Sequence, residues 1–326
     1  MQAAQSAFYF TGRVCPSPPD GARQIVRIRT KFQCRKIGSE LKKPESKVAG
    51  RAAICTSEQR RNTGRALAVA EQVGQFSMAS KTDRKLGGVF FDLDDTLVLT
   101  HEADSVAHSA VLELVAAKYP KVARSVVLRS FIKKFVAQAW DPENKVDVTE
   151  WRATLWHQAL QEQGVVNMEL AREMQSCFDR ERLRAFRWAS GVEALVKKLQ
   201  GRGIKVGVIT NGHPVVQRAK LQACRASELF DTILVGGEEP KAKPHKDIFL
   251  KACHIAGCKP QESIMVGDTL TTDILGGINT GFLSTVWVNL HKEELPKNGP
   301  KPDHVISNIG ELKKVLEQLG VPESEV

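Results

Sequence analysis

Hydrophobic and polar positions along this chain change rhythm in a way that divides it. Between Gly87 and Val98, the apolar run Val89-Phe90-Phe91 opens on a glycine pair and ends in Asp92, Asp94 and Asp95. A short continuous run of that kind predicts a strand covered on both faces in a parallel sheet. Residues 102 to 187 instead show helical spacing. Val106, Ala110, Leu114 and Ala117 predict one apolar stripe, Val127, Phe131 and Phe135 a second, and Trp151, Leu155 and Ala159 a third. Asp141-Pro142-Glu143-Asn144 predicts a turn, and Met168 to Arg187 a further helix dense in arginine.

From Gly191 the rhythm becomes an alternation of helix and strand. Short β-branched runs at Ile204 to Ile209, Thr232 to Val235, Ser263 to Val266, Ser284 to Val288 and His304 to Ile306 predict strands. Helices are expected over Val192 to Gln200, from Pro214, near 244 to 256 and 272 to 280, and over Ile309 to Leu319. This pattern predicts an α/β protein with a doubly wound parallel sheet, interrupted early by a helical insert.

Composition changes the picture at the N-terminus. Lys and Arg exceed Asp and Glu by 10 in 326 residues, but residues 1 to 80 hold 14 basic and 5 acidic side chains. The remainder carries 33 against 32, so the folded body offers no broadly basic face for nucleic acid. Residues 1 to 80, rich in Arg, Ser and Ala and poor in acids, read as a disordered leader and transit peptide for a plastid or mitochondrion. The alternative is translation from Met78, which would leave a cytoplasmic protein. No apolar run reaches roughly 18 residues, so no membrane span is predicted. The seven cysteines form no CxxC pair, and a reducing compartment is the simpler inference.

Candidate chemistry sits where the predicted strands end. Asp92 and Asp94 follow the first, Thr210-Asn211-Gly212 the second, and Gly267-Asp268 with Asp273 the fourth, while Lys243-Pro244 lies in a later loop. Any one of these has an ordinary reading as a turn, a cap or a solvated cation. Together they match phosphoryl transfer from a monoester. A carboxylate such as Asp92 can attack phosphorus. It repels a phosphate dianion, so a divalent cation is required, and Mg²⁺ suits Asp92 and Asp268. Asp94 is placed to protonate a leaving alcohol and then deprotonate water, and Thr210 and Lys243 to hold nonbridging oxygens.

Asp92-Leu93-Asp94-Asp95-Thr96, Val208 to Gly212, Lys243-Pro244 and Gly267 to Asp273 resemble the four motifs of the haloacid dehalogenase (HAD) superfamily, in that family's order. The resemblance implies Asp92 as nucleophile, Asp94 as acid/base, Thr210, Asn211 (through its main-chain amide) and Lys243 as phosphate ligands, and Mg²⁺ held by Asp92, the Asp94 carbonyl and Asp268. Asp273 would support the metal site and Thr96 would orient the loop. It also implies a Rossmann-like core over residues 81-100 and 188-326, with residues 101-187 as a helical cap. Since the family's true dehalogenases usually lack an acid two positions after the nucleophile, Asp94 favours a phosphatase. Segments in both cap and core, among them Arg152 to Ala159 and Val235 to Glu238, are similar to the N-acylneuraminate-9-phosphatase group.

The expected partner is a small-molecule phosphate monoester, with neither nucleic acid nor membrane involved and the oligomeric state left open. Arg152, Arg182 and Arg184 are candidates for gripping a substrate carboxylate, against a solvated helix face as the more ordinary role. Alternatives are another sugar- or nucleotide-phosphate phosphatase, for phosphoglycolate or a riboflavin-pathway intermediate, a phosphomutase, or a non-catalytic scaffold.

Overall fold

A computed structural model describes residues 85–321 of the chain. The proposed leader and both alternatives for its start lie outside the described residues. Six strands form one sheet: β1 (Gly88–Phe91), β2 (Lys205–Thr210), β3 (Thr232–Val235), β4 (Ser263–Gly267), β5 (Ser284–Val288) and β6 (His304–Ile306). All neighbours are parallel, in the order β3-β2-β1-β4-β5-β6. The chain winds outward from β1 to one edge and then returns to β4 on its other side. The strand order therefore reverses between β1 and β4, which is where an open α/β sheet leaves a crevice at its carboxyl ends.

Strand β1 is buried from end to end, as its unbroken apolar run requires. Alternation sends Val89 and Phe91 to one face and Phe90 to the other. The first face packs under α5 (Val192–Gly201) and the C-terminal helix α9 (Leu312–Gln318). Phe90 packs with Ile209, Met265 and Phe249, the last carried by α7 (Lys246–Ala256). Helices α6 (Pro214–Ala223) and α8 (Leu275–Thr280) complete the two helical layers.

Between β1 and β2 run four helices with an apolar cluster of their own: α1 (Thr100–Lys118), α2 (Arg124–Ala137), α3 (Val148–Gln161) and α4 (Met168–Ala185). Trp156 stacks on Phe131 at 3.6 Å between ring centres, and its indole N–H donates to Gln175. Asp147 caps α3 through the N–H groups of Thr149 and Glu150, and Asn167 caps α4 through that of Leu170.

The stripe expected on α1 is met in part: Ala110 and Leu114 pack half-buried against the insert's cluster, but the fully buried line runs one residue further on. Ala103, Ala107, Val111 and Val115 face inward, whereas Val106 is 53% exposed. Ala107 joins the cluster that α4 lines, whereas Ala103 joins the core packed on β1, a division that periodicity over Val106, Ala110, Leu114 and Ala117 does not contain. Two later helices start after the expected point, because a π-helical turn over Leu270–Ile274 precedes α8 and a 3₁₀ turn over Ile309–Glu311 precedes α9.

Candidate active site

Asp92, Asp268 and Asp273 converge at the crevice between β1 and β4. Each offers a carboxylate oxygen within 4.8 Å of the others. Asp92 leaves the end of β1, where its N–H donates to the Val266 carbonyl of β4. Asp268 follows β4 directly, and its own carbonyl accepts from the Trp287 indole of β5. Asp273 is aimed back into the crevice by the π-helical turn, its Oδ2 accepting from the Thr269 N–H. Gly267 makes that approach possible, since a Cβ there would lie 2.4 Å from the Asp273 carboxyl carbon.

Lys243 is 4% exposed and reaches the same point from the loop before α7. Its Nζ donates to Asp92 Oδ1 at 2.6 Å and Asp273 Oδ1 at 2.7 Å. Burial alone would lower its pKa, but Asp273 and Asp92 reverse that and hold the ammonium charged. Asn211 fixes the loop with its side chain: Nδ2 donates to the Lys243 carbonyl and Oδ1 accepts from the Lys243 N–H. That clamp is additional to the main-chain role the resemblance gives Asn211. The Lys243-Pro244 peptide bond is cis.

Three carboxylates thus face one ammonium. Burial, with Asp273 and Asp94 adding to it against Lys243, pushes the Asp92 carboxyl up to about 7. Burial, then Asp92 and Asp273, likewise holds the Asp268 carboxyl well above the ordinary carboxylate range. An all-oxygen set of three carboxyls against one ammonium fits a hard divalent cation, whose charge would favour their ionised forms. HAD hydrolases generally use Mg²⁺, and this buried aspartate cluster fits such a site. Among the described residues no His or Cys joins it.

Asp94 is held by a different set of partners. Its Oδ1 accepts from Thr100 Oγ1 at 2.6 Å and Lys220 Nζ at 2.7 Å, and its Oδ2 from Gln217 Nε2 at 2.9 Å. Burial works to raise its pKa, but Lys220 and Arg182, with the Lys220 and Thr100 hydrogen bonds, bring it well below the usual range. Gln217 Nε2 also donates to Thr210 Oγ1 at 2.7 Å, linking Asp94 to the end of β2. Thr96 is buried behind the loop, and its Oγ1 has no hydrogen-bond partner. Asp95, with no expected chemistry, takes φ 52° and accepts from the His101 N–H at the start of α1, its carboxylate also pairing with the His101 ring.

The ordinary reading of two arginines is corrected here. Arg152 and Arg182 are 5% and 8% exposed, not solvated, whereas Arg184 is exposed at a flank of α4. Arg182 Nε lies 2.5 Å from Asp104 Oδ1 of α1. Arg152 lies over the Phe135 ring, and its Nε donates to the Ala139 carbonyl. Trp140 in that same loop meets the His213 ring across from the core, at 6.0 Å. Sequence reasoning passed over Gln217 and Lys220. Their signal is a three-residue spacing on the helix that follows the Thr210-Asn211-Gly212 strand end.

A family model described as haloacid dehalogenase-like hydrolase matches residues 86–281, spanning every one of these motifs. The chain belongs to that family. Its HAD-type core and phosphatase relatives make it a phosphatase that acts on phosphorylated substrates. Over 238 residues it is 34% identical to the human N-acylneuraminate-9-phosphatase, covering 72% of this chain and 95% of that one. It is 28% identical over 250 residues to a glyceraldehyde 3-phosphate phosphatase of Pyrococcus furiosus, covering 74% of this chain and 98% of that one. Among solved structures, the magnesium-bound HAD-hydrolase YfnB of Bacillus subtilis superposes with a TM-score of 0.54 at 21% identity, over 71% of this chain and 99% of that one. That last likeness concerns the fold. Among the described residues no helix is long and apolar enough to cross a membrane.

Proposed function

We propose that this phosphatase is a Mg²⁺-dependent phosphomonoester hydrolase that works through an aspartyl-phosphate on Asp92. The observation that carries the reading is the excess of three clustered carboxylates over the single Lys243 ammonium at the β1/β4 crevice. Asp92, Asp268 and the Asp94 carbonyl would hold the cation, which when bound offsets the repulsion between the Asp92 carboxylate and a phosphate dianion. Asp92 attacks phosphorus, Lys243 and Thr210 hold the nonbridging oxygens, and Asp94 passes a proton to the leaving alcohol and takes one from the attacking water. Asp273 fixes the Lys243 ammonium and Thr96 supports the loop.

For the substrate, we infer a sugar-acid phosphate of the N-acylneuraminate 9-phosphate type. Two features support this: the likeness to the human enzyme runs through both the helical insert and the core, and Arg152 and Arg182 bring buried positive charge to that insert. Phosphate release should be measured over a panel of small monoesters that includes N-acetylneuraminate 9-phosphate, with Mg²⁺ and with chelator. Turnover that survives complete metal removal would sink the cation assignment. Asp92→Asn should abolish turnover with the fold intact, and near-normal turnover in that variant would contradict the nucleophile.

A further inference from the structure

Lys220 sits on α6, one turn beyond Gln217, and both side chains are buried. Burying an ammonium is costly unless a partner compensates it. Among the described residues, the carboxylate within ion-pair distance of Lys220 is Asp94, at 2.7 Å. Gln217 holds the other oxygen of Asp94 and simultaneously Thr210 Oγ1. Thr100, the third partner of Asp94, opens α1, the first helix of the insert. The carboxylate is therefore gripped from the core by α6 and from the insert by α1, and a link of one side chain runs from it to the phosphate-holding end of β2.

We propose that Lys220 is the positioning residue of the proton shuttle, fixing the Asp94 carboxylate with Gln217 in register with Thr210. The inference rests on the phosphatase reading above. The substrate dianion beside Asp94 favours its protonated form against the pull of Lys220; in the first half-reaction an Asp92 oxygen bonds to phosphorus, the ester P–O bond breaks, and the leaving oxygen takes that proton. In the second, water oxygen bonds to phosphorus, the bond from phosphorus to Asp92 breaks, and the water proton returns to Asp94. Lys220 gives and takes no proton. It fixes where the Asp94 carboxyl stands and also favours its charged form, so it should matter in proportion to how much the leaving group needs the Asp94 proton.

The test compares two leaving groups in the phosphorylation half-reaction by rapid mixing. p-Nitrophenolate departs without protonation, whereas a primary alkoxide, from N-acetylneuraminate 9-phosphate or glyceraldehyde 3-phosphate, does not. Lys220→Met is similar in length and would lie beside the Phe186 ring that Lys220 already faces. It should slow phosphorylation by the alkyl ester about 100-fold, in the range that proton transfer supplies, and that by p-nitrophenyl phosphate less than about 5-fold, with KM changed little. Gln217→Leu, which leaves the charges in place, should show the same selectivity at smaller size. Equal losses on the two esters, or no loss on the alkyl ester in either variant, would overturn the role of Lys220 alone. A native enzyme that releases phosphate from neither ester overturns the phosphatase reading and this inference with it.

Discussion

The Lys243 ammonium lies 2.6 Å from Asp92 Oδ1, joining residues 151 positions apart in the chain. The pair sits at the switch point of the sheet, and a second bond from Lys243 reaches Asp273. One cation thereby keeps two of the three clustered carboxylates in place before any other charge arrives. Its removal should be felt in stability as well as turnover.

Replacing Lys243 with Met leaves Asp92 and Asp273 buried without their partner. Breaking a buried pair by removing one member costs about 3–5 kcal/mol. Urea unfolding of metal-free Lys243→Met should show a loss of that size, and phosphate release should fall by more than about 100-fold. A variant of native stability would mean that solvent already screens the cluster.

A divalent cation that binds the folded cluster should stabilise it by linkage. At free Mg²⁺ about 100 times its dissociation constant, the gain is about 2.7 kcal/mol. Thermal unfolding of the native protein should shift upward with Mg²⁺, whereas Asp268→Asn should lose most of that shift. An equal response from both proteins would place the cation elsewhere.

His108 gives the insert a pH dependence with a defined sign. Its ring packs 4.9 Å from that of Phe178, near Phe131 and Trp156, with Asp104 of α1 and Arg182 of α4 as its charged neighbours. Burial lowers its pKa from 6.5 to about 4, with Arg182 adding to the effect and Asp104 opposing it. Below 6.5 the unfolded chain gains a proton that the folded one refuses, so this contribution to stability is complete above 6.5, falls as pH drops toward 4, and is flat below. At about 1.4 kcal/mol per pKa unit, the loss is at most about 3.5 kcal/mol. His108→Gln should remove that part of the slope between pH 7 and 4 in urea unfolding, and an unchanged slope would contradict the buried neutral ring.

Gly267→Ala would set a methyl group 2.4 Å from the Asp273 carboxyl carbon. Overpacking of this kind costs about 1–3 kcal/mol. Here it should also displace Asp273 from Lys243, so turnover should fall along with the melting temperature. An alanine variant with native activity would show that the turn over Leu270–Ile274 yields without moving its carboxylate.

Much of the site was legible because each strand end carries its chemistry within a few residues of a recognisable apolar run. Asp92 and Asp268 could be placed at strand ends by local pattern alone, since a parallel sheet brings successive strand ends to one edge. Lys220 and Gln217 were not legible in that way. Lys220 lies 126 positions from Asp94, and within α6 it has the spacing of an ordinary helix-surface cation. The same limit applies to Arg152 and Arg182, whose burial depends on helices meeting across the insert.

The sequence by itself determined the α/β class, the strand set and the types of side chain at the crevice, because these follow from short-range periodicity and from chemistry carried by single residues. Tertiary structure decided which line of α1 is fully buried, Ala107, Val111 and Val115 against the insert's cluster, while Val106 of the expected stripe stays exposed. It also decided that Asn211 clamps the Lys243 loop with its side chain and that Asp95 serves the start of α1. Those outcomes depend on which distant groups arrive at hydrogen-bonding distance, and only the winding of the chain around β1 sets those distances.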